Sequence, residues 1–240
     1  MEYATTKHIE ELYAFANKNG LNYLTMLELG GWNTAIFLHH LQVARTFKIV
    51  VICGNDRKGT YGLSTAKHLM NHRWSVSVIL VGELTSMESQ YYLEILEKMG
   101  ASLTQYQPEN SHAQRMIRKC HVVLDALLGP NASKERPSLL NEAIEMVGRS
   151  AKRIISLEVP SGLDGSTGMV FPPVLRAEAT LALGLPMNAF LFKEGAYYSG
   201  KVFVADIGLP KFVYDRFTLG IRPKFDAYPN TFLPLEEYRL

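Results

Sequence analysis

Apolar residues recur at Ile9, Leu12, Tyr13 and Ala16, three or four positions apart, which predicts a helix over Thr5 to Lys18 stopped by Asn19-Gly20. A second helix is predicted from about Tyr23 to His40, with Leu24, Leu27, Ala35, Leu38 and Leu41 on one side. From Phe47 the period shortens. KIVVIC is a β-branched run, a helix follows that ends near His72, and SVSVILVG repeats the strand pattern. Next come a helix over Ser86 to Met99, a weak strand at SLTQY, a helix over Ser111 to Cys120 and a strand at HVVLDAL. Pro137 to Arg149 reads as helix, then RIISLEV, TLALGL and KVFVADIG as strands, KVFVADIG being the last. Strands alternating with helices of this length indicate βαβ units and a mainly parallel sheet covered on both faces, an α/β class with two N-terminal helices.

No repeat or low-complexity linker divides the chain, so residues 1–240 read as one domain. A hydrophobic share of 47% and a charged share of 20% are ordinary for a globular protein, and a formal charge of +2 selects neither nucleic acid nor a membrane surface. Met1 to Glu11 is charged and no apolar run approaches the roughly 18 residues of a span, so a cytoplasmic location without membrane contact is expected. Cys53 and Cys120, at the end and start of predicted buried strands, read as free thiols.

Ligands of such sheets bind beyond the carboxyl ends of the strands. That rule selects GNDRKGTYG, DALLGPNASKERP and EVPSGLDGSTG. In the first, Gly54, Gly59 and Gly62 allow positive φ or close approach of the backbone, and a helix read from Leu63 would offer N–H groups to an anion. The spacing is neither G-x-G-x-x-G nor a Walker loop, since Asp56 and Arg57 stand where glycine would be needed, and a plain strand-to-helix turn accounts for it equally well. Asp125 ends a buried strand, where a turn or cap role is as common as a functional one. Glu158 leaves the sheet just before Val159-Pro160, and a carboxylate at that depth needs a partner. It is the best candidate acid or base. His68 and His72 have helical spacing but lack a third metal ligand, and Ser161 is not in a G-x-S-x-G elbow.

LTMLELGG, CGNDRKGTYGLSTAKHL, LDALLG with ERP after it, LEVPSGLDGSTG, LALGLP and GKVFVADIGLP together resemble the YjeF N-terminal domain family. That family includes NAD(P)HX epimerases, the apolipoprotein A-I binding protein and the YjeF-N domain of the enhancer-of-mRNA-decapping scaffold. The resemblance implies a three-layer αβα Rossmann-like fold, usually homodimeric. The family's loop G-x-G-N-N-G-G-D-G aligns with Gly54 to Gly62, its two asparagines falling on Arg57 and Lys58, its later glycine on Thr60 and its aspartate on Tyr61. The resemblance places potassium ligands at Lys58 instead of asparagine, Asp125 and Ser161, the catalytic aspartate at Glu158, and an expected lysine at Met187. Gly129 and Arg136 join the loop residues as ligand-binding candidates.

Two expectations follow from the resemblance. One is a degenerate epimerase site in a dimeric scaffold linked to RNA metabolism, binding a small nucleotide or RNA fragment. There Tyr61 occludes part of the cleft, and the N-terminal helices with Trp32 and Phe37 supply a dimer face. The other is an active NAD(P)H-hydrate epimerase using Glu158 as acid and base. No cofactor is required on either expectation. Potassium, or the Lys58 ammonium in its place, and a nucleotide such as NAD(P)HX are the ligands implied.

Overall fold

The computed structural model describes residues 3–133, 135–216 and 232–238, so both termini of the single-domain reading lie outside the described residues. Helices α1 (Thr6–Lys18) and α2 (Tyr23–His40) precede the sheet. There follow β1 (Lys48–Cys53), α3 (Arg57–Asn71), β2 (Ser75–Leu80), α4 (Met87–Lys98), β3 (Ser102–Gln105), α5 (His112–Lys119), β4 (Val122–Ala126), α6 (Ser138–Ser150) and β5 (Ile154–Leu157). Then come β6 (Ala179–Leu183), α7 (Lys193–Ser199), β7 (Lys201–Ala205), α8 (Lys211–Asp215) and β8 (Phe232–Pro234). The eight strands run in the order β3-β2-β1-β4-β5-β6-β7-β8, all parallel except β8, which is antiparallel to β7.

The period of two in KIVVIC divides the core. Ile49, Val51 and Cys53 face the layer that includes Leu63 and Leu69 of α3, whereas Val50 and Ile52 face Ile117 of α5 and Val147 of α6. Burial on both faces explains why β1 and β4 are almost wholly apolar. Asp125 in β4, fully buried opposite Ile52, is the exception. The order reverses between β1 and β4, and chain leaving these strands opens the crevice where α/β proteins bind ligands.

Several sequence expectations are corrected. KVFVADIG is not the last strand, because the short Phe232–Pro234 adds an edge to it. Three residues are too few to show a period. Helix α3 starts at Arg57 rather than Leu63, because Asp56 caps it, its Oδ1 accepting from the Gly59 amide at 3.0 Å. RIISLEV stops pairing at Leu157, where Glu158 turns the chain at φ +55°. Phe37 is fully buried, with ring centroids of Phe203 and Phe232 at 5.0 and 5.3 Å, so it belongs to the core and not to an outer face. Both cysteines are buried free thiols. Among the described residues no helix is long and apolar enough to cross a membrane.

Candidate functional site

The loops after β1, β4 and β5 meet beyond the carboxyl edge of the sheet. Gly54 and Gly59 serve close packing and not positive φ. A Cβ on Gly54 would lie 1.9 Å from the Leu127 carbonyl oxygen, and one on Gly59 would lie 1.9 Å from the Gly54 carbonyl oxygen. This tight seat lets the first turn of α3 send its side chains directly into the crevice.

Lys58 points inward and is fully buried. Its Nζ donates to Val159 O at 2.8 Å, Asp125 Oδ2 at 2.9 Å, Ser161 Oγ at 3.0 Å and Leu128 O at 3.1 Å. Four acceptors surround three N–H bonds, so the ammonium is fully satisfied. Asp125 is equally well held: Oδ2 also accepts from Ser156 Oγ at 2.8 Å and from the Ser161 amide at 2.9 Å, and Oδ1 accepts from Ser161 Oγ and the Leu127 amide. A buried carboxylate and ammonium persist only with this degree of hydrogen bonding.

Glu158 is 6% exposed. Its φ of +55° is unusual for a non-glycine residue and is fixed on one side by the Glu158 amide donating to Leu181 O at 2.9 Å. Oε1 accepts from Arg57 Nε at 3.3 Å, and Oε2 is buried with no hydrogen-bond partner. The Arg57 guanidinium also lies 4.5 Å from the centre of the Tyr13 ring. Burial pushes the Tyr13 phenol up to about 12, with Arg57 opposing it.

A cavity of about 340 Å³ opens on this group, and its lining includes Glu10, Asp56, Arg57, Gly129, Asn131 and Glu158. Asp56 faces it from the α3 cap, with Oδ2 accepting from the Gly129 amide at 2.7 Å. Burial raises the Asp56 pKa and neighbouring Glu158 raises it further, against the lowering effect of the two amide donors. Met187, where the resemblance expects lysine, borders a narrow recess with Ile9, Pro130 and Leu185 that also reaches Glu158.

Of the residues singled out from sequence, Lys58, Asp125, Ser161, Glu158, Arg57 and Gly129 converge here. Gly54 and Gly62 form the floor under the α3 turn, a Cβ on Gly62 meeting Ala126 at 2.5 Å. Three others turn away from the cavity lining. Thr60 is buried with Oγ1 2.8 Å from Ser89 Oγ. Tyr61 does not occlude the cleft, because its ring is fully buried against Gly30 and its hydroxyl is 2.7 Å from that of Tyr13. Arg136 donates through Nη2 to Phe171 O and Pro173 O, both at 2.7 Å, and ties down the segment after PSGLDG. Glu10, Asp56 and Asn131 were missed. Only Asp56 carried a local signal, an N-cap residue ahead of a helix.

A family model, YjeF-related protein N-terminus, matches residues 24–189. The chain is 32% identical over 164 residues to the NAD(P)H-hydrate epimerase of Weissella koreensis, covering 68% of this chain and 71% of that protein. It is 31% identical over 169 residues to the bifunctional NAD(P)H-hydrate repair enzyme Nnr of Moorella thermoacetica, spanning 68% of this chain but only 32% of that longer enzyme. The crystal structure of yeast YNL200c superposes with a TM-score of 0.82 at 16% identity, over 98% of this chain and 100% of that one, a likeness of fold. With its family match running from α2 to just beyond the last residue of the Glu158 recess, the chain belongs to the YjeF-related protein N-terminus family.

Proposed function

We propose that the protein is an NAD(P)H-hydrate epimerase whose site carries a covalently attached cation. The observation that carries this reading is Glu158: a buried carboxylate beside an open cavity of about 340 Å³, with one oxygen held by Arg57 and the other without a partner. Relatives named NAD(P)H-hydrate epimerase support the substrate class.

Epimerisation requires a group that protonates the C6 hydroxyl so that it departs as water. The ring nitrogen lone pair stabilises the resulting cation. Water then adds to the opposite face, its proton passing to solvent while solvent reprotonates the carboxylate. In this reading Glu158 is the acid, with Arg57 Nε 3.3 Å from its Oε1 to hold the orientation.

The potassium implied by the family resemblance does not fit this chain. Its proposed ligands Asp125 and Ser161 already hold the Lys58 ammonium, and Asp125 Oδ2 also accepts from Ser156 Oγ and the Ser161 amide, so the place of the ion is filled. Lys58 thus supplies a fixed charge, and turnover is independent of potassium.

The test mixes the R epimer of NADHX with purified protein and follows conversion to S. Conversion that is lost in Glu158→Gln and equal in potassium and sodium salts supports the reading. No conversion by folded protein sinks it. The second reading, a dimeric scaffold that binds nucleotide or RNA without turnover, draws on the pairing of Glu158 with Arg57. Three carboxylates in the lining weigh against phosphate-rich RNA in this cavity.

A further inference from the structure

The amino-terminal edge of the sheet, opposite the cavity at Glu158, carries a different chemistry. Taken across the sheet, β2, β1, β4, β5, β6 and β7 are entered through Arg73, Lys48, Lys119, Lys152, Arg176 and Lys201, one cation for each strand. We infer that this edge binds single-stranded nucleic acid, with phosphates along the row of cations and one base in an aromatic pocket at its β2 end.

All six residues are exposed, and among the described residues none has an ion-pair partner. The single carboxylate in these strand entries, Glu178, accepts from Arg153 Nε and Nη2, both at 2.7 Å. Because the strands are parallel, cations far apart in the chain meet on one side, and neighbouring strands about 4.8 Å apart spread the row over about 24 Å. A basic residue at a helix C-terminus often only complements the helix dipole, which accounts for Lys119 in the last turn of α5. Lys48 and Lys201 instead open strands, and Arg73, Lys152 and Arg176 lie in connections, so the row exceeds what helix ends require. Regularly spaced free cations are the electrostatic footprint of a phosphate chain. The formal charge of +2 conceals the row, since Glu10, Asp56 and Glu158 gather at the other edge.

The pocket is the second, independent observation. It has a volume of about 180 Å³ and is walled by Trp32, His39, His72 and Trp74, with Arg45 as its one charged side chain. The ring centroids of Trp32 and His72 are 5.0 Å apart. Arg73 stands between His72 and Trp74 in the chain, which joins the pocket to the row. An apolar cavity of about 150 Å³ accepts benzene, so this one takes a single pyrimidine-sized ring. Aromatic walls bind a base by stacking, and the base must be free of a duplex to enter them. A lipid surface would satisfy the row but offers no planar ring to the pocket.

Trp32 and Trp74 are the two tryptophans of the chain, so tryptophan emission reports on this pocket alone. Labelled oligouridylate is titrated by anisotropy while that emission is followed. Saturable binding with quenching is expected, its affinity falling by about tenfold or more for a fourfold rise in salt. The double variant Lys48→Glu, Lys152→Glu, checked for folding by circular dichroism, is expected to weaken binding by about tenfold or more. Trp32→Ala is expected to weaken it by about tenfold, and should that variant not fold, quenching and the double variant still decide. Absence of binding at low salt, binding without quenching, or equal affinity in the folded double variant would each overturn the proposal. Displacement by polyglutamate as effective as by unlabelled oligouridylate, or preference for phosphatidylserine vesicles, would overturn it too. None of these readouts depends on NADHX conversion, so the epimerase reading and this one fail separately.

Discussion

Lys58 Nζ stands 2.9 Å from Asp125 Oδ2 with both side chains fully buried, an ion pair joining the first turn of α3 to the carboxyl end of β4. Removing one partner of such a pair leaves a buried charge alone. Lys58→Met is expected to destabilise the fold by about 3–5 kcal/mol, measured by urea denaturation. Lys58→Asn restores the amide expected from the family resemblance, and its stability is expected to rise in potassium chloride relative to sodium chloride. Equal unfolding midpoints of that variant in the two salts would count against the cation-replacement reading.

Tyr61 fills the space above Gly30. A Cβ on Gly30 would come within 2.3 Å of Tyr61 Cε1, and the fully buried ring has no room to retreat. Gly30→Ala is expected to cost about 1–3 kcal/mol through overpacking. Thermal unfolding of the variant checks it, and an unchanged midpoint would show that the α2–α3 contact is looser than described.

The buried hydroxyls of Tyr13 and Tyr61 are 2.7 Å apart. Tyr61→Phe leaves Tyr13 without that partner, at an expected cost of about 1–3 kcal/mol. The double Phe variant should lose less than the two single variants combined, since neither orphaned hydroxyl remains. A double-mutant cycle in urea reads the coupling, and strict additivity would contradict it.

Burial holds the His68 imidazole below its usual range, and Lys67 adds to this while Glu28 opposes it. The unfolded chain then takes up a proton first as the solution is acidified. Stability contributed by neutral His68 is complete above about pH 6.5 and is lost as pH falls from there through the lower folded-state value. Denaturant titrations across that window should show the slope in the wild type and a smaller one in His68→Leu.

Much of the site was legible because strand ends can be read from hydrophobic period. Glu158 and Asp125 stand out as carboxylates at the edge of apolar runs, and both reach the crevice. Tyr61 was misread for a definite reason. It follows Lys58 by three positions, less than one helical turn, so the start of α3 at Arg57 rather than Leu63 changes which side chains point inward. One capping aspartate fixed that start. The cap of Asp56 on Gly59 is local and readable, whereas its second bond, to Gly129 seventy-three positions later in the chain, exists only in the fold.

The sequence by itself determined the α/β class, the three loops and the family to which they are similar, because these follow from local period and from blocks of residues in order. Tertiary structure alone decided that Lys58 meets four acceptors, that Arg57 holds Glu158, and that Asp56 and Glu158 face one corner. Those contacts join the ends of β1, β4 and β5, and no local pattern records where three strand ends converge once the parallel sheet has formed.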